Sequence, residues 1–182
     1  MAELPVDATK FAGMSEEQAK TFPRRTLVGD PLSDAQLATM PKMISTDSHV
    51  MEPDELWQEL PKRLSEKLPN VPFRNSPPGA LDANLRLEDQ NNDGVAAEIL
   101  FPNYGMALYG IDDVELQEEG FKLYNDWLTD WCAPDPKRLV GTPLISVYDP
   151  KAAVKELHRS IDKGLRGAVI WQVPDPQLPF SN

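Results

Sequence analysis

The sequence has little cysteine or histidine: its 182 residues include one cysteine, Cys132, and two histidines. A single cysteine cannot form an internal disulfide, and without paired cysteines a structural zinc site is not indicated either. No apolar run approaches the roughly 18 residues of a membrane span, and residues 1–20 lack the basic-then-apolar order of a signal peptide. We therefore expect a soluble, cytoplasmic protein without a membrane partner.

Basic residues are also scarce, since 18 Lys and Arg stand against 29 Asp and Glu and leave a net charge of −11. Nucleic acids and anionic membranes bind through a basic face, so neither is expected as a partner. Nucleotide-binding glycine loops and the Gly-x-Ser-x-Gly motif of serine hydrolases are absent. Hydrophobic residues make up 41% of the chain, which predicts a packed core rather than disorder.

Predicted strands and helices alternate after a leader that covers residues 1–42. The leader is interpreted as short helices and turns, either a packing or oligomerisation arm or a loosely ordered tail. The patterning predicts strands at 43–49, 95–101, 140–147 and 167–173, helices that begin near 53, 85, 113 and 150, and a long proline-rich loop at 61–84. Strands without strict polar alternation, joined by helical crossovers, predict a parallel sheet covered on both faces.

The last two predicted helices have apolar stripes. The helix at 113–133 has a broad apolar face, within which Asn125 is expected to make a structural hydrogen bond to a loop backbone. The next helix, which Gly164 ends, has Val154, Leu157 and Ile161 at helical spacing, and these predict its packing face.

Asp47 and His49 lie at the end of the first predicted strand. Side chains two apart on a strand point the same way, so these two should converge. Parallel α/β folds place their sites at the carboxyl ends of the strands, where a carboxylate and an imidazole can ligate zinc or manganese. In the alternative interpretation, Asp47 caps the following turn beside a hydrogen-bonded His49, and the residues alone leave both interpretations open.

Three further charged residues are candidates near this site, and each has a structural alternative. Glu52 either orients a ligand or lies beside a helix N-terminus. Arg86 either binds a substrate carboxylate or pairs with Asp89 one turn on. Glu98 either faces a site or pairs with a cation from a covering helix. No catalytic residue is assigned, and His158 is interpreted as a surface residue of a helix.

The run Ser-Thr-Asp-Ser-His-Val-Met-Glu-Pro at 45–53 resembles the opening of the amidohydrolase-2 group of the amidohydrolase superfamily, the branch that includes relatives of aminocarboxymuconate-semialdehyde decarboxylase. Weaker resemblances follow in the order of that group: Arg86 with 93–95, 98–102, 124–128, 136–139 with Gly141, and 164–168. The resemblance extends from about residue 44 to residue 181.

The resemblance implies a (β/α)₈ TIM barrel in which a metal activates water or holds a carboxylated aromatic for decarboxylation. It implies that Asp47 and His49 are the first two metal ligands, and that a His from strand five and an Asp from strand eight follow. Because four strands are predicted here, we expect an α/β fold that is the N-terminal half of such a barrel, over residues 43–182. Its metal site would then be incomplete.

The expected function is that of a metal-dependent hydrolase or non-oxidative decarboxylase for a small carboxylated or cyclic substrate, inactive as this chain alone. A divalent metal is expected, with zinc favoured over manganese. The expected partners are the small-molecule substrate and either a second copy of the chain or a complementing C-terminal half. The alternative is a non-catalytic half-barrel, an interaction or scaffold module whose open sheet a partner must cover.

Overall fold

The structure, a computed structural model, describes residues 43–69 and 76–170, together with Ser33, Ala35 and Thr39. The predicted leader lies outside the described residues apart from those three positions, and so does the end of the predicted fourth strand. Within the described part of the chain, no helix is long and apolar enough to cross a membrane.

Strands and helices alternate along the described chain, and three strands form one parallel sheet in the order β1-β2-β3. The predicted α/β class is therefore confirmed. The elements are β1 (Met43–His49), α1 (Asp54–Gln58), α2 (Lys62–Ser65), α3 (Pro78–Leu81), α4 (Ala83–Asp93), β2 (Val95–Phe101), a 3₁₀ helix (Tyr104–Gly110), α5 (Val114–Cys132), β3 (Leu139–Gly141) and α6 (Pro150–Asp162).

Local capping signals place the ends of the helices close to where the sequence predicts them. The Asp149 side chain caps α6 by accepting a hydrogen bond from the backbone N–H of Lys151, and Pro150 occupies the first turn. Gly94, with a φ of 70°, ends α4 in the left-handed conformation that glycine adopts at little cost. Since β2 begins at the next residue, this turn sets the start of the second strand.

The segment at 61–84 differs from the predicted long loop, because its described residues contain α2, α3 and the start of α4. Pro61 and Pro77 occupy the N-cap positions of α2 and α3. A proline before or within the first turn gives up no intrahelical hydrogen bond. Pro61 and Pro77 therefore start short helices, whereas the sequence pattern predicted a loop throughout this segment.

The third strand is shorter than predicted, because it ends at Gly141 and Pro143 follows. Proline has no N–H to donate to the strand ladder. Beyond it, Leu144 and Val169 form an isolated parallel bridge at the position of the predicted fourth strand. The described residues thus contain three strands and one bridge, so the predicted count of four strands is not confirmed.

The helices pack against one face of the sheet. Leu100 of β2 is fully buried there together with Leu116, Tyr124 and Leu128 of α5, so the predicted helix at 113–133 forms much of the core. The Asn125 side chain of this helix donates a hydrogen bond to the carbonyl oxygen of Leu144 over 3.0 Å and accepts one from the N–H of Leu144 over 2.8 Å. The sequence predicts such a hydrogen bond to a loop backbone.

The two faces of the sheet differ in cover, which contrasts with the predicted cover on both sides. We call one the helix-covered face, with Ser45, Ser48, Glu98 and Leu100, and the other the open face, with Ile44, Asp47, His49, Ile99 and Phe101. Ile44 on the open face is 61% exposed. In a closed barrel such a face is the interior and is filled by side chains from the other strands.

The apolar stripe of α6 is not the face that packs on α5, since Val154 is 55% and Ile161 is 37% exposed. The contacts with α5 are polar instead. Asn125 donates to Glu156 Oε1 over 2.8 Å, and Arg159 forms an ion pair with Asp126. Because these polar contacts fix the rotation of the helix, they turn the predicted packing stripe partly outward.

Candidate metal centre

A β-bulge in β1 decides which side chains reach the open face. Ser45 lies opposite Glu98 and Ser48 opposite Leu100, so three steps on β1 match two on β2. The hydroxyls of Ser45 and Ser48 are hydrogen bonded at 2.7 Å, although their separation by three would place them on opposite faces of a regular strand. The extra residue therefore sends both serines to the helix-covered face.

Asp47 and His49 converge on the open face, as the spacing of two predicts. Asp47 Oδ1 lies 3.6 Å from His49 Nε2. Their side chains are 84% and 51% exposed, so a ligand can reach both atoms without any movement of the core. The pair lies at the carboxyl end of β1, the end at which parallel α/β folds bind ligands.

The second ring nitrogen of His49 is held by the backbone of the neighbouring strand end. His49 Nδ1 lies 2.8 Å from the carbonyl oxygen of Pro102, the residue that follows β2. Because a carbonyl oxygen can only accept, Nδ1 must carry the hydrogen of this bond. In the neutral ring this leaves the lone pair on Nε2, the nitrogen that faces Asp47.

Asp47 does not cap the helix that follows. The N-cap of α1 is Pro53, and that helix end has no side-chain cap. The contact of Asp47 is with His49. His49 is hydrogen bonded, as the capping interpretation expects. The bond uses Nδ1 and the carbonyl oxygen of Pro102, so Nε2 remains available for a ligand.

A carboxylate oxygen and an imidazole nitrogen suit zinc or manganese, so the donor pair fits a divalent metal. Within residues 43–69 and 76–170, no three His, Cys, Asp or Glu side chains come together as a metal-binding group. His158 is exposed on α6, as the sequence predicts. The described residues therefore bring together two donors suited to a metal, whereas a metal shell needs at least four ligands.

Glu52 is buried, with 4% of its surface exposed, and it binds the start of the 3₁₀ helix. Its Oε2 accepts hydrogen bonds from the backbone N–H groups of Asn103 and Tyr104, and its Oε1 accepts one from Gly105. Burial raises the pKa of this carboxyl, while the backbone hydrogen bonds oppose that rise. Glu52 thus lies beside a helix N-terminus, as one of the two sequence alternatives has it, although the helix is not α1.

Arg86 and Glu98 lie on the helix-covered side, behind His49. Arg86 Nε is 3.5 Å from Glu98 Oε2, so Glu98 pairs with a cation from the covering helix α4. Gln90 donates to Glu98 Oε2 over 2.8 Å, and Ser48 donates to Glu98 Oε1 over 2.9 Å. Arg86 Nη2 also donates to the carbonyl oxygen of His49. This network supports the strand that carries the site and does not open onto it.

The sequence did not reveal the role of Pro102, because its contribution is a backbone carbonyl rather than a side chain. Its position directly after the second predicted strand was the available signal. Ser48 was likewise visible only as the middle residue of Asp47-Ser48-His49.

Comparisons with known proteins point to aromatic-acid decarboxylases, although no family model matches the sequence. The γ-resorcylate decarboxylase of Rhizobium radiobacter is 30% identical over 138 residues, which are 74% of this chain and 37% of that protein. The crystal structure of 2,6-dihydroxybenzoate decarboxylase from Rhizobium is 27% identical, with a TM-score of 0.51, over 77% of this chain and 42% of that one. The chain is related to the amidohydrolase-2 group. The predicted resemblance is confirmed, and the chain spans well under half the length of these relatives.

A further solved structure shares the fold. The 5-carboxyvanillate decarboxylase of Novosphingobium aromaticivorans, whose structure contains manganese, is 17% identical, with a TM-score of 0.50, over 70% of this chain and 41% of that one. The metal named for this neighbour is manganese, so the expectation that zinc comes first gains no support. The chain's homologues are enzymes, namely decarboxylases of the amidohydrolase superfamily.

Proposed function

We propose that this chain is the N-terminal half of a metal-dependent, non-oxidative decarboxylase with a (β/α)₈ barrel, acting on a small aromatic carboxylate. The observation that carries the proposal is the Asp47–His49 pair, with Nε2 free and 3.6 Å from Asp47 Oδ1 on the open face. The order of the three parallel strands, in which sequence neighbours are also sheet neighbours, supports the barrel. The relatives support the reaction.

In this proposal, Asp47 Oδ1 and His49 Nε2 hold a divalent cation, manganese before zinc. The further ligands come from a His and an Asp on later strands, as the resemblance to the group implies. A bound divalent metal supplies Lewis-acid catalysis and fixes the orientation of the substrate. His49 contributes the lone pair of Nε2, because its Nδ1–H donates to the carbonyl oxygen of Pro102, while Asp47 contributes negative charge that favours the cation.

Decarboxylation is proposed ahead of hydrolysis because the relatives named here are decarboxylases. The chain alone is proposed to be inactive, since its described residues supply two ligands. No observation favours the scaffold alternative. The open face of the sheet fits an unfinished barrel equally well, and the exposed ligand pair has no purpose in a scaffold.

A chimera tests this function. Residues 1–170 of this chain are joined to the remaining barrel of the Rhizobium decarboxylase, and release of CO₂ from 2,6-dihydroxybenzoate is measured with and without Mn²⁺. We expect metal-dependent turnover that falls by about 100-fold or more in Asp47→Asn and His49→Gln, because each removes a ligand. His158→Gln is the matched control and should retain full activity.

Circular dichroism and metal analysis accompany the assay. A chimera that is folded and loaded with manganese, yet releases no CO₂, would overturn the proposed reaction. Undiminished turnover in Asp47→Asn or His49→Gln would remove that residue from the metal site.

A further inference from the structure

Glu52 is a buried carboxylate that has no role in the chemistry proposed above. It follows His49 by three residues, but its oxygens turn to the loop after β2. They accept three consecutive backbone N–H groups, from Asn103 at 3.1 Å, Tyr104 at 3.0 Å and Gly105 at 2.8 Å. The side chain thus joins the segment after β1 to the segment after β2.

One of these three N–H groups shares a peptide unit with the carbonyl that binds His49. The carbonyl oxygen of Pro102 and the N–H of Asn103 belong to the same planar peptide, and no described peptide bond is cis. In a trans peptide the C=O and N–H point in opposite directions. Glu52 therefore holds one side of this plane while His49 Nδ1 binds the other side at 2.8 Å.

The residues around the Glu52 carboxylate leave little free space at Gly105. A Cβ added at Gly105 would lie 3.1 Å from Glu52 Oε1, 2.8 Å from Leu144 Cδ1 and 3.1 Å from Pro102 Cβ. Glycine at 105 thus allows the backbone to approach the carboxylate, and any larger residue would push against both Glu52 and Pro102.

We propose that Glu52 is a positioning residue that sets the tautomer of His49 through the Pro102–Asn103 peptide. By fixing that peptide plane, it keeps the Pro102 carbonyl aimed at Nδ1 and so keeps the lone pair on Nε2. The use of that lone pair for a metal rests on the function proposed above, whereas the tautomer itself is a property of the metal-free chain.

The tautomer is measured by long-range ¹H–¹⁵N NMR on the full, metal-free chain at pH 8. The chain has two histidines, so the spectrum contains two imidazole patterns, and His158→Gln assigns them. We expect His49 to carry its hydrogen on Nδ1. In Glu52→Gln the amide NH₂ faces either the N–H of Gly105 or those of Asn103 and Tyr104, so this segment loses at least one hydrogen bond and the ratio of Nδ1–H to Nε2–H should fall roughly tenfold.

Gln117→Met is the matched control. Gln117 is also buried and also anchors the 3₁₀ helix, but at its far end, where its Nε2 donates to the carbonyl of Leu108 over 3.1 Å. This variant should lower the stability of the chain and leave the His49 tautomer unchanged. A tautomer shift of equal size in Gln117→Met would mean that general loosening of the helix is the cause, and would overturn the proposal.

Gly105→Ala tests the same step without removing the carboxylate, and it replaces Glu52→Gln if that variant does not fold. A folded variant of either kind that retains the wild-type tautomer ratio would refute the positioning role. Addition of Mn²⁺ then separates this proposal from the proposed function. Paramagnetic broadening of His49 but not of His158 supports the metal site, whereas an intact Nδ1–H tautomer without broadening contradicts the metal site alone.

Discussion

The two faces of the sheet hold their polar side chains in opposite ways. On the helix-covered face, Glu98 is 7% exposed and is bound by Ser48, Gln90 and Arg86. On the open face, the Asp47 side chain is 84% exposed and has one close partner, His49. A buried carboxylate with a full set of partners is committed to the fold. An exposed one keeps its oxygens free for a ligand, so charge alone does not distinguish a structural carboxylate from a binding one.

The largest difference in stability should appear when the carboxylate on each face is replaced in turn by alanine. Glu98→Ala should lower the free energy of unfolding by about 3 kcal/mol, because it leaves Arg86, whose side chain is 14% exposed, without its charged partner. Asp47→Ala should change it by less than about 0.5 kcal/mol, as for other exposed positions. Urea unfolding followed by circular dichroism measures both, and equal losses would remove the distinction between the faces.

A smaller effect is expected at the serine that lies between the two candidate ligands. Ser48→Ala removes the hydrogen bond to Glu98 Oε1 and should lower the free energy of unfolding by about 1 kcal/mol. Thr46→Ala, at an exposed position of the same strand, is the control and should be close to neutral. A neutral Ser48→Ala in the same urea titration would show that the helix-covered network does not depend on β1.

Glu52 connects the segment after β1 to the segment after β2 and should make stability depend on pH. Burial raises its pKa above the ordinary value, so the folded chain holds this proton more tightly than the unfolded chain. Its contribution to stability is therefore present at pH below the unfolded value and is lost as the pH rises through the raised value. The stability of Glu52→Gln relative to wild type should therefore rise as the pH increases above about 4.5. An unfolding series across that range that shows the opposite slope would contradict the raised pKa.

The smallest effect concerns the cysteine beneath the helix-covered face. Cys132 is 3% exposed, and burial raises the pKa of its thiol to about 12. At pH 8 roughly one thiol in ten thousand is then the reactive thiolate. A thiol reagent should label the native chain slowly and the urea-unfolded chain at once. Fast labelling of the native chain would show that the helix layer opens readily.

Local signals allowed much of the fold to be predicted from the sequence. The predicted bounds of β2, 95–101, match the structure, because Gly94 forces the turn before it and Pro102 follows it. The ends of α6 follow from Asp149, Pro150 and Gly164 in the same way. These signals act over a few residues and do not require knowledge of what packs against them.

The features that could not be predicted from the sequence depend on contacts between residues distant along the chain. The rotation of α6 is set by Asn125 and Asp126 of α5, which the spacing of the apolar residues in α6 does not reveal. In the candidate site, the convergence of Asp47 and His49 followed from strand geometry. The Pro102 carbonyl could not be predicted because it requires the register between β1 and β2.

The bulge in β1 has a consequence for how the length of this segment can vary. Ser45 and His49 are four residues apart, so in a regular strand they would share a side, and the extra residue puts them out of phase. Loss of one residue between them would remove the bulge and leave a regular strand, in which the two residues, then three apart, still lie on opposite faces. Loss of two residues would put Ser45 and His49 on the same face. Related chains should therefore be able to lack the single bulge residue and keep the pair on the open face, whereas a loss of two should not be found.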